Sequence, residues 1–104
     1  MHTIIETEVF KRCAEAIWND GERHEFITWI AGNPLAGDVV PGSGGLRKIR
    51  WSRTGTGKQG GTRVIYYNRL ADGCIWLLIA YTKAKFDNLP AAFLKQLKEE
   101  LSDE

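Results

Sequence analysis

At 104 residues the chain is long enough for one domain with a core of its own and too short for two, so residues 1–104 are read as a single domain. An apolar fraction of 43% with 26% charged residues suits a water-soluble fold, and no apolar run approaches the roughly 20 residues of a membrane span. Net charge is +1, but its distribution is uneven. Residues 1–38 carry seven acids against three bases, residues 39–71 seven bases and no acid, and residues 72–104 four bases against six acids. A middle third at +7 between acidic flanks is the footprint of a protein that meets a polyanion.

Thr3–Ile5 is a short strand. Glu8 to Trp18 follows as a helix, because Phe10, Cys13, Ala14 and Ile17 repeat at the spacing of one buried face. Asn19-Asp20-Gly21 reads as its stop. A second helix, Glu22 to Ala31, gathers Phe26, Ile27 and Ile30 and ends at Gly32-Asn33-Pro34, where glycine supplies a left-handed cap. Two helices joined so tightly form a hairpin. Residues 34–45 have no clear period and read as a loop, tacked down by Val39 and Val40.

The basic third then forms a two-stranded ribbon. Leu46–Trp51 is one strand and Thr62–Asn68 the other, and a glycine-rich loop holding Arg53 and Lys58 joins them. Side chains alternate along a strand, so Lys48 and Arg50 share a face. Two like charges side by side repel, and an anion laid across them removes that cost. Ala71-Asp72-Gly73 turns the chain into Cys74–Tyr81, a strand apolar enough to be buried on both faces. Lys83 and Lys85 leave the core directly after it. Leu89 to Ser102 is a last helix, with Pro90 in its first turn. The order βααβββα predicts an α+β domain: an antiparallel sheet with the helices packed on one face and the basic side chains on the other.

Many familiar sites are excluded. His2 and His24 lie outside the basic cluster, so no Ser/His/Asp or Cys/His pairing is at hand. No metal-ligand spacing occurs, so neither a metal nor another cofactor is expected. Cys13 and Cys74 are too few for a disulfide framework and read as reduced core residues. GTGKQGG enters a strand rather than a helix and is not a nucleotide-binding loop. What remains is an array of Arg and Lys beside Trp51, Tyr66, Tyr67 and Tyr81, which suits phosphates and stacked bases. Such an array also suits metal-independent cleavage of RNA. Attack by a ribose 2′-OH needs a base, positive charge at the phosphate, and an acid at the leaving 5′-oxygen.

Three stretches carry a family resemblance: G-G-L-R-K-I-R, then the loop G-x-G-K-x-G-G-x-R leading into V-I-Y-Y, and Y-x-K after the last long strand. With them the chain resembles, over nearly its whole length, the RelE/HigB superfamily of bacterial toxin–antitoxin toxins, in the HigB-like branch. The resemblance implies a microbial-ribonuclease-like α+β fold and a cytoplasmic mRNA interferase, a hydrolase class that cleaves translated mRNA in the ribosomal A site. It also implies neutralisation by an antitoxin, a small helix-turn-helix protein encoded alongside. By position, Lys48 is the candidate general base, Arg50 a phosphate ligand, and Arg63 the group that stabilises the pentacoordinate phosphate. The family's next arginine is missing, since Ala84 stands there, and Leu89-Pro90 falls near the family's stacking tyrosine. Lys83, ahead of Lys85, is the candidate acid in place of that arginine, with Tyr81 a further alternative that can also supply the ring. Arg47, Arg53, Lys58, Tyr81 and Lys85 complete the expected contacts to RNA and ribosome. The alternative is a nucleic-acid-binding module of the same fold that does no chemistry.

Overall fold

Thr7 and Asn19 fix where the two N-terminal helices begin. In the computed structural model, which describes residues 2–51, 62–69, 72–82 and 90–102, strand β1 is Thr3–Glu6 and helix α1 is Glu8–Ile17. Thr7 caps α1 by accepting from the Phe10 amide (3.2 Å) while its hydroxyl donates to Leu77 O (2.9 Å). The start of the helix is therefore pinned to the sheet. Helix α2 is Asp20–Gly32. Asn19 and Glu22 form a capping box at its start, with bonds of 2.8 and 3.1 Å. The Asn19-Asp20-Gly21 stretch expected to end one helix thus begins the next. At the far end α2 runs through Gly32, which has no left-handed φ. Asn33 closes it instead, its amide side chain donating to Trp29 O (2.8 Å).

The remaining elements are β2 (Asp38–Val39), β3 (Arg47–Trp51), β4 (Thr62–Arg69), β5 (Cys74–Thr82) and α3 (Ala91–Ser102). The five strands form one sheet in the order β1-β5-β4-β3-β2. β2 lies in the stretch expected to be only loop. Of the residues expected to tack it down, Val40 packs on the core and Val39 stays exposed. β1 pairs in parallel with the first half of β5, from Thr3 beside Cys74 to Glu6 beside Leu77, while the other pairs are antiparallel. The sheet is mixed rather than wholly antiparallel because the apolar β5 takes a strand neighbour on each side. A bulge interrupts the β4–β5 register: Ile65 faces Ile79 and Tyr66 faces Leu77, so Leu78 is the extra residue.

The α+β class holds, with one rearrangement of the helices. On one face of the sheet Ile49, Val64, Tyr66, Ile75, Leu77 and Ala80 pack with Phe10, Ala14, Phe26 and Ile30 of α1 and α2. On the other, Leu94 and Leu97 of α3 pack with Leu46, Ile65, Leu78, Ile79 and Tyr81. The helices were expected on one side only. A strand apolar on both faces requires cover on both, and α3 supplies the second. Among the described residues no helix is long and apolar enough to cross a membrane. Both cysteines are free and half-buried.

Candidate nucleic-acid interface

α3 covers part of its face of the sheet. Within that face, strand register places one row across the sheet: Arg50 on β3 is opposite Arg63 on β4, and Arg63 is opposite Tyr81 on β5. Residues opposite each other in an antiparallel pair share a face, with Cα atoms about 5 Å apart. Lys48 stands two residues before Arg50, aligned with Ile65 and thus on the same face. Of the predicted catalytic residues, Lys48, Arg50 and Arg63 are brought together, joined by Tyr81 from the expected RNA contacts. The group comprises an exposed guanidinium, a buried one, a half-buried amine and a buried phenol.

Arg63 has the least ordinary surroundings. It is 7% exposed, and its Nη1 is buried with no hydrogen-bond partner among the described residues. None of the ion pairs formed by those residues includes it. A buried cation without a paired anion carries a desolvation cost that an incoming anion relieves. The strand holds it there: Ile65 and Tyr67, on its side of β4, belong to the α3 core, whereas Val64 and Tyr66 belong to the other. Tyr81 beside it is 3% exposed. Burial pushes its phenol up from the ordinary value, and the neighbouring Arg63 charge pulls it part of the way back. The phenol therefore stays a neutral donor at physiological pH.

Arg47 does not join this group. It lies on the opposite face, and its Nη1 donates to Gly37 O (2.6 Å). There the Tyr66 hydroxyl accepts from the Gly37 amide (2.8 Å) and donates to Pro34 O (2.9 Å), and the Asn68 side chain donates to the same carbonyl (2.7 Å). Arg47 thus anchors residues 34–37 to the sheet. Trp51 is also turned away, its ring 4.9 Å from Trp29 and 5.5 Å from Phe26. Tyr67 lies under the Lys98 ammonium at 5.0 Å. Arg53, Lys58, Lys83 and Lys85 lie outside the described residues. The register adds one acid that the chain order hid: Asp38 of β2 stands opposite Lys48. No local signal marks it, because a two-residue strand has no period.

No family model matches the chain. Among solved structures, a mutant of the Escherichia coli toxin RelE in the free state aligns with a TM-score of 0.59 at 10% identity, covering 83% of this chain and 87% of that one. A metal-bound toxin from Helicobacter pylori aligns with a TM-score of 0.46 at 10% identity, covering 83% and 99%. The fold of this chain is RelE-like.

Proposed function

We propose that the chain is the toxin of a type II toxin–antitoxin system, of the HigB-like branch, and a ribosome-dependent mRNA endoribonuclease. The observation that carries this reading is Arg63: a buried guanidinium whose Nη1 has no hydrogen-bond partner among the described residues, held in a row with Arg50 and Tyr81 on the face of a RelE-like sheet. It is a site prepared for an anion, and the anion is an mRNA phosphodiester in the A site. The working complex is cytoplasmic, and its partners are the ribosome, the message and an adjacent antitoxin, a small helix-turn-helix protein.

In the reaction Lys48 takes the proton from the ribose 2′-OH. The 2′-oxygen attacks the adjacent phosphorus, the bond to the 5′-oxygen breaks, and a 2′,3′-cyclic phosphate remains. Arg50 at the exposed end of the row receives the phosphate. Arg63, already desolvated, binds the non-bridging oxygens as their charge grows, where a fixed cation gives most. The leaving 5′-oxygen takes a proton from Tyr81, Lys83 or Lys85. Of these, Tyr81 is the one in register with Arg63.

Growth arrest on expression, with cut ends mapped to translated messages, separates the nuclease from a silent RNA binder. The sharper test is Arg63→Lys, which keeps the charge and loses the planar fork. Binding to ribosomes stays near the parental level, and single-turnover cleavage on programmed ribosomes falls about a hundredfold. Cleavage at the parental rate would reduce Arg63 to a positioning charge and sink the mechanism.

A further inference from the structure

Between α1 and the second half of β5 lies a cavity of about 370 Å³. Cys13, Ala16 and Ile17 form its helical wall, and the Ile79–Thr82 stretch forms its strand wall. Its origin is topological. The parallel β1 ladder stops at Leu77, so beyond that point α1 rather than a strand lies beside β5, and the small Cys13 and Ala16 leave room. The volume falls within the roughly 300–1,000 Å³ of sites that take small molecules.

We propose that this cavity receives the base of a nucleotide flanking the scissile phosphate, and so sets sequence preference. The inference deepens the nuclease reading and rests on it. Continuity favours a base as the occupant. Tyr81 lines the cavity and is also the register partner of Arg63, so a group seated there is one residue from the proposed phosphate site. The walls are mainly apolar, and Tyr81, Thr82 and Cys13 are among the residues that line them. Flat apolar contact with a few edge hydrogen bonds is how unstacked single-stranded bases are held. A cation-lined slot would take phosphate instead, and no Lys or Arg is among the residues of this lining.

The test pairs Ala16→Phe with abasic messages. Ala16 is exposed on α1, so a phenyl ring enters the cavity from its mouth without displacing core. Single-turnover cleavage on programmed ribosomes is measured for parent and variant, with an abasic nucleotide placed on either side of the cut. Removing the base at one of the two positions slows the parent about tenfold. Ala16→Phe slows cleavage of intact message by a similar factor, and the two changes together add no further loss. Losses that multiply, or a variant with parental rate and base preference, overturn the inference. It is overturned too if Ala16→Phe cuts normally but escapes its antitoxin, which assigns the cavity to a protein partner. Should the parent not cleave at all, the nuclease reading fails separately, and the thiol decides the cavity. In a Cys74→Ser background, slower alkylation of Cys13 with a bound single-stranded oligonucleotide supports a base in the cavity, and an unchanged rate overturns it.

Discussion

Two phenols, Tyr66 and Tyr81, show how one residue type is put to different work by its neighbours. Tyr66 is fully buried and its hydroxyl is satisfied twice, by Gly37 and Pro34. Tyr81 is nearly as buried but stands beside a guanidinium. Tyr81→Phe keeps the ring and removes the proton. If Tyr81 is the acid, single-turnover cleavage drops by about a hundredfold or more. An unchanged rate leaves the ring as its only contribution and returns the acid's role to Lys83 or Lys85. Both phenols are raised above the ordinary value of 10.0, chiefly by burial; at Tyr66 Asp38 adds to this, while the Gly37 hydrogen bond and Arg47 oppose it. The folded state thus holds these protons more tightly than the unfolded chain. Their contribution to stability is complete below about pH 10 and is lost as pH rises through the folded-state values. Denaturant midpoints measured from roughly pH 9 to 11 should fall with pH. Tyr66→Phe, less stable at neutral pH for want of two hydrogen bonds, should show a shallower fall. A midpoint flat across that range contradicts the burial argument.

Between elements, the segment joining α2 to β2 is held by contact rather than by period. Gly37 meets the sheet so closely that a Cβ there would lie 2.8 Å from the Tyr66 hydroxyl and 2.9 Å from the Lys48 carbonyl oxygen. The second neighbour is backbone of the strand that presents Lys48, and it cannot step aside without moving the site. Gly37→Ala should therefore lose about 1–3 kcal/mol, as overpacking does, and weaken cleavage through a displaced β3. Thermal unfolding and single-turnover rate read the two effects. A variant of parental stability would show that the segment lifts away freely. The same segment explains Arg47, whose bond to Gly37 O draws it out of the basic array.

For the whole molecule the governing fact is that one face of the sheet serves two purposes. α3 covers its apolar part with Leu94 and Leu97, and the row of Arg50, Arg63 and Tyr81 occupies the same face. A row of this size holds a phosphate but does not by itself align the 2′-oxygen, the phosphorus and the leaving group. In the proposed reaction the ribosome supplies that order by fixing the message. Purified protein should therefore cut free RNA at least a hundredfold more slowly than the same message on ribosomes. Equal rates at low protein concentration would refute ribosome dependence.

The sequence alone determined every element except β2, and the two basic residues sharing a face of β3, because these follow from local periods of 3.6 and 2. The family resemblance also marked Arg63, at the start of a strand after two glycines. What Arg47 meets on the face opposite Arg50 lay beyond the sequence, since the period gives the face and only a tertiary partner gives the contact. The same holds for β2 and Asp38, for the parallel pairing of β1, and for the side of the sheet that α3 covers. Each depends on which distant segment arrives next to it: Gly37 against Arg47, Cys74 against Thr3, and Leu94 and Leu97 over Ile65 and Ile79. Short-range patterns record what a residue prefers to bury. Chain folding over tens of residues decides what it meets there, and that decision left Arg63 buried, with its Nη1 lacking a hydrogen-bond partner among the described residues.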